Sequence, residues 1–103
     1  MGAKMPQRPV VLAMTQLGED LTTWRKLRGL TAAEVAGRAN VTRQTISRVE
    51  SGKDVSVETL LRVAKALGVL ESLASSVNPY ATDVGRMRME EALPKRVRRR
   101  KTL

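Results

Sequence analysis

Arg43, Gln44, Ser47 and Arg48 lie within one short stretch whose apolar partners are Ile46 and Val49. With Ile46 and Val49 turned inward on a 3.6-residue period, the four polar side chains share the outward face of a helix. Their chemistry suits the reading of base edges. A guanidinium fork matches the O6/N7 edge of guanine, and a carboxamide matches the N6/N7 edge of adenine. Ser47 bonds to either kind of base and carries the least information. Around this face stand groups that hold phosphates at helix starts and turns: Thr31, Thr42, Thr45, Ser51 and Lys53. Their bland role is that of helix caps and a solvated surface.

No comparable set supports catalysis. The chain has no cysteine and no histidine. Disulfides, Cys/His metal sites, triad nucleophiles and imidazole acid–base chemistry are excluded together. The acidic residues are scattered and form no acid–base or metal pair. No enzyme, metal or cofactor is expected.

The charge balance agrees with a polyanionic partner. In 103 residues, 19 Lys+Arg stand against 10 Asp+Glu, a formal net charge of +9. Trp24 and Tyr80 are too few aromatics for a platform that stacks successive bases, so double-stranded DNA is favoured over a single strand or RNA. The longest apolar run, Val10 to Met14, falls far short of the roughly 20 residues of a membrane span. No targeting pattern stands out, and a cytoplasmic protein with no membrane partner is expected.

The elements that must position these residues are punctuated at short intervals. Gly29, Asn40, Gly52 and Gly68 are residue types that close helices, and Thr31, Thr42 and Ser56 then open the next ones. Thr31 with Glu34 fits a capping box. The apolar spacing predicts a first helix from about Val11 to Arg28, striped by Leu17, Leu21 and Trp24. A second runs from Ala32 to Ala39 around Val35, Ala36 and Ala39, and a third from Arg43 to Ser51. Val57, Leu60, Leu61, Ala64 and Leu67 stripe a fourth. Leu70, Leu73, Ala74 and Val77 suggest a fifth, ended by Asn78-Pro79.

No stretch alternates as a strand would. The expected fold is all-α: a bundle of four to five short helices with a helix-turn-helix at 32–39 and 43–51. Ala36 faces the crossing of those two helices and Asn40 makes the bend between them.

Three segments are expected: a flexible arm at 1–9, the DNA-binding domain at 10–78, and a basic, flexible extension at 79–103. The extension carries eight basic residues and three acidic ones, its apolar residues form no convincing face, and a short helix near Val84–Leu93 is the one element expected in it. It reads as a solvated tail, a source of phosphate contacts or minor-groove insertion, or a segment that folds on a partner.

The region from about Leu17 to Val69 resembles the Cro/phage-repressor helix-turn-helix, also called the xenobiotic-response-element family of bacterial regulators. The resemblance is carried by Leu30-Thr-Ala-Ala-Glu-Val-Ala, by Val41-Thr-Arg-Gln-Thr-Ile-Ser-Arg-Val-Glu-Ser-Gly-Lys, and by the run from Val57 to Val69. It implies a lambda-repressor-like bundle in which helix 43–51 is the recognition helix and helix 32–39 crosses the DNA backbone above it. It also implies that Arg25 pairs with Glu50 while lying near a phosphate.

Two positions depart from the pattern. Ala32 stands where many relatives place a phosphate-binding Gln, and Gly37 lies inside a helix, where it costs about 0.5–1 kcal/mol relative to Ala.

The function expected from this is a sequence-specific DNA-binding transcription regulator, a repressor that binds a palindromic operator as a homodimer. Its dimer stripe would be Leu70, Leu73, Ala74 and Val77. The alternative is an antitoxin of the HipB-like group, which would bind a kinase-type toxin through the C-terminal region and repress its own operon.

Overall fold

A computed structural model describes residues 7–92. Among them are α1 (Arg8–Leu27), α2 (Ala32–Ala39), α3 (Arg43–Glu50), α4 (Val57–Leu67) and α5 (Leu70–Ser75), followed by a 3-10 turn at Pro79–Ala81 and α6 (Asp83–Ala92). No strand forms among the described residues. The chain divides into two units, one up to Leu70 and one from Glu71.

The expected punctuation is realised bond by bond. Thr31, Thr42 and Ser56 each accept the backbone N–H three residues on, which closes one orphan donor at the start of α2, α3 and α4. Helix ends close in a common way. The N–H groups of Leu30, Val41, Lys53 and Val69 reach back to the carbonyls of Arg25, Ala36, Arg48 and Ala64 at 2.9–3.0 Å. Each of these four residues follows one in the left-handed region, which is how the chain reverses without leaving buried carbonyls unpaired. Asn40, at φ 59°, is the one non-glycine among the described residues with positive φ. It makes the bend of the helix-turn-helix.

The capping box of α2 is complete. Thr31 Oγ1 accepts from Glu34 N at 3.0 Å, and Glu34 Oε1 accepts from Thr31 N at 2.8 Å. The bond from the Thr31 backbone holds the Glu34 carboxyl below its ordinary pKa. A carboxyl that is more acidic folded than unfolded stabilises the fold above the ordinary carboxylate range, and that contribution is lost as pH falls through the depressed folded value. Glu34→Gln keeps a capping acceptor but cannot titrate. Its thermal midpoint is therefore expected to fall less steeply than that of the parent between about pH 6 and pH 3. Parallel melting profiles for the two proteins would contradict this assignment.

The core of the first unit is small and aliphatic. Leu21, Val35, Ala36, Ala39, Ile46, Val49, Val63 and Leu67 are buried together, with Leu17, Leu30, Val41, Val55 and Leu60 packed partly buried against them. Arg28 ties the end of α1 to the end of α4. Its Nε donates to the Leu67 carbonyl at 2.9 Å, placing a cation at the negative end of that helix. The same guanidinium lies 5.0 Å from the centre of the Trp24 ring, which is 39% exposed although it falls on the apolar stripe of α1.

Several boundaries differ from the sequence expectation. α1 begins at Arg8, inside the segment expected to be a flexible arm, because Pro9 falls in the first turn, where its missing N–H costs nothing. α3 ends at Glu50, and Ser51 is its cap. α5 stops at Ser75, so Val77 does not continue its stripe and stands 84% exposed. Asn78 caps the 3-10 turn that follows.

In the second unit, residues 79–92 are not a featureless extension. Pro79–Ala81 and α6 pack closely, with Gly85 against the Pro79 carbonyl, and α6 spans Asp83–Ala92, where the sequence suggested a short helix beyond the four to five of the bundle. The expectations for residues 1–6 and 93–103 lie outside the described residues.

Candidate nucleic-acid interface

α2 and α3 are joined through Asn40–Thr42, and Ala36 is buried where they meet. Ile46 and Val49 face the core, leaving Arg43, Gln44, Ser47 and Arg48 exposed on the other side of α3. The outward face expected from periodicity is therefore formed. Thr42 opens the helix at its exposed end, with its hydroxyl bonded to the Thr45 backbone at 3.0 Å and to the Thr45 hydroxyl at 2.9 Å. Thr31, Ser51 and Lys53 are also exposed.

Two of the cations expected to meet DNA already have protein partners. Arg48 Nη2 donates to the Asp54 carbonyl at 2.7 Å, so this side chain braces the loop between α3 and α4 as well as standing on the outward face. Arg25 pairs with Glu50 through two bonds, Nε to Oε2 at 2.7 Å and Nη2 to Oε1 at 3.2 Å, and its Nη1 donates to the Leu30 carbonyl at 3.0 Å. The bond with Glu50 raises the Arg25 pKa further above its already high value. Both side chains are half-buried, at 17% and 19% exposure. The pair fixes the C-terminal end of α3 to α1, as the family resemblance implied. The N–H groups left over on Arg25 are those available to a phosphate.

A second clamp at this end of α3 was not anticipated. A Cβ on Gly18 would lie 2.7 Å from the carbonyl oxygens of both Val49 and Glu50. A Cβ on Gly52, itself at φ 75°, would lie 2.9 Å from the Thr15 Cα. The backbone of α1 thus runs directly against the last turn of α3, and only glycine permits the approach. The available sequence signal was that Gly18 sits three residues before Leu21, on the inward stripe of α1. Gly37, by contrast, has nothing within 4 Å of where its Cβ would be, so it serves no close approach.

A short capped helix, held rigidly at its far end and presenting an Arg/Gln/Ser face beside a second helix, defines a helix-turn-helix DNA-binding domain. Residues 21–72 match the helix-turn-helix family model of the Cro/C1 type, and the chain belongs to that family of DNA-binding transcription regulators. No curated protein and no solved structure matches the chain. No helix among the described residues is long and apolar enough to cross a membrane.

Proposed function

We propose that the protein is a cytoplasmic repressor, not an enzyme, that reads a palindromic operator as a homodimer. α3 enters the major groove, with Arg43 and Gln44 on base edges and Ser47 beside them. Thr31, Thr42 and Lys53 hold flanking phosphates. The supporting observation is the exposure of this face on a helix whose opposite side is locked into the core by Ile46 and Val49. One such helix reads only about half a helical turn of DNA, so specificity calls for two copies with half-sites about 34 Å apart or a multiple of it.

Selection of full-length protein on a random duplex pool at near-physiological salt tests this reading. The expected result is a consensus with two-fold symmetry. Recovery of no consensus would assign the basic charge to non-specific binding and remove the operator reading.

The antitoxin reading draws on a different observation. In the unit from Glu71, the side chains of Val77, Tyr80, Val84 and Met87 are exposed, and in that reading they would seat a second protein. Tagged full-length protein would then recover a stoichiometric toxin from its source cells, and the Met87→Asp variant would not. Equal recovery by both would remove this reading.

A further inference from the structure

The loop 51–56 joins α3 to α4, and its two ends are fixed independently. A Cβ on Gly52 would meet the Thr15 backbone at 2.9 Å, so Gly52 lies wedged against α1. At the other end Val55 packs against the core and Ser56 caps α4. Between these anchors, Lys53 and Asp54 form an exposed span.

Arg48 holds this span from both sides. Its carbonyl accepts from Lys53 N at 2.9 Å, and its Nη2 donates to the Asp54 carbonyl at 2.7 Å. The first bond belongs to the main chain and does not depend on the side chain at this position. The second is made by the guanidinium, and among the described residues no other side chain bonds to Lys53 or Asp54. Arg48 stands in the last turn of α3, so its positive charge also offsets the negative end of that helix.

We infer that Arg48 is a positioning residue that acts on DNA through Lys53. It holds Lys53 and Asp54 in one path, so that the Lys53 ammonium meets its phosphate already placed. This rests on the phosphate role proposed above for Lys53. The gain is preorganisation, because a span ordered before binding does not have to be ordered on contact. The sequence pattern grouped Arg48 with the base-reading side chains Arg43, Gln44 and Ser47. A guanine edge takes two N–H groups of one guanidinium side by side, whereas Nη2 of Arg48 is turned to the loop.

Two readouts on the full chain test this role. The first uses no DNA and compares backbone amide NMR order parameters in wild-type protein and Arg48→Met. That variant keeps a long unbranched side chain and loses the donor and the charge. The values at Asp54 and Val55, whose peptide groups flank the released carbonyl, are expected to fall from about 0.85 towards about 0.6. Those at Gly52 and Lys53 are expected to hold, since their N–H groups stay bonded to the Val49 and Arg48 carbonyls. The melting transition is expected to remain in place, because Arg48 is exposed and outside the core.

The second readout is a double-mutant cycle on random duplex across a salt series. Arg48→Met is expected to make the slope of log K against log salt shallower by about 0.9, as Lys53→Ala does. The double variant is expected to match the single variants and not to reach about 1.8. A random duplex requires no operator, so the cycle is readable even where selection recovers no consensus.

Unchanged order parameters at Asp54 and Val55 would overturn the positioning role. So would additive slopes, which give Arg48 a phosphate of its own, or a narrowed gap between operator and random duplex, which makes it a base reader. A Lys53→Ala protein that binds as wild type does would remove the phosphate contact of Lys53 together with the role of Arg48. The other outcomes remove the role of Arg48 alone.

Discussion

Gly18→Ala is expected to destabilise the protein by about 1–3 kcal/mol, although alanine is intrinsically the better helix residue by nearly 1 kcal/mol. The added methyl meets the carbonyl oxygens of Val49 and Glu50 at 2.7 Å, and both are backbone atoms that cannot step aside as the end of a side chain would. Relief requires α1 to move off the last turn of α3. That motion strains the Arg25–Glu50 bonds made at the same end of the helix.

Gly37→Ala is the matched control. It lies in α2 with nothing within 4 Å, so it should recover the propensity difference and stabilise by about 0.5–1 kcal/mol. In a domain of this size, each kcal/mol shifts the thermal midpoint by roughly 4–8 °C. The two variants should therefore move in opposite directions in one calorimetric experiment. A stabilised Gly18→Ala would show that α1 and α3 do not approach as described. The same displacement should weaken DNA binding, because the outward face of α3 is aimed by what holds its far end.

The contrast between these glycines shows what the sequence makes legible. Helix starts and stops are local. A Thr followed three residues later by Glu, or an Asn before Val41, carries the bonding pattern in its own neighbourhood, and α2, α3 and α4 appeared where these signals placed them. The outward face of α3 was legible for the same reason, since burial of Ile46 and Val49 fixes what faces the other way. The role of Gly18 is not local. It depends on which backbone crosses the helix, and spacing can only place it on the inward stripe. The bracing bond from Arg48 to the Asp54 carbonyl has the same character. α6 was only faintly visible because none of its residues is buried, and a helix without a buried face leaves no apolar period to read. Arg25 with Glu50 was legible only through family resemblance, since the pair spans 25 positions of sequence.

The proposed reading of DNA places its largest functional effect on Arg43. Arg43→Ala is expected to cost about 1–3 kcal/mol on the selected operator and to relax the preference at one base position per half-site. Arg43 is exposed at the first turn of α3 and lies outside the core, so the folded state should be unchanged within about 0.5 kcal/mol. The loss then belongs to recognition.

Lys53→Ala separates charge from base reading. Lys53 lies in the loop beyond α3, and a phosphate contact there carries no sequence information. Its removal should weaken operator and random duplex alike, with the slope of log K against log salt shallower by about 0.9. Titrating both variants against both duplexes gives four affinities at each salt concentration and four slopes. Arg43→Ala should narrow the gap between operator and random DNA, whereas Lys53→Ala should preserve it. Equal losses on both duplexes for Arg43→Ala would reassign that side chain to the phosphate backbone. Specificity would then have to rest on Gln44 and Ser47, the remaining exposed groups on α3 whose side chains are not committed to the α3–α4 loop.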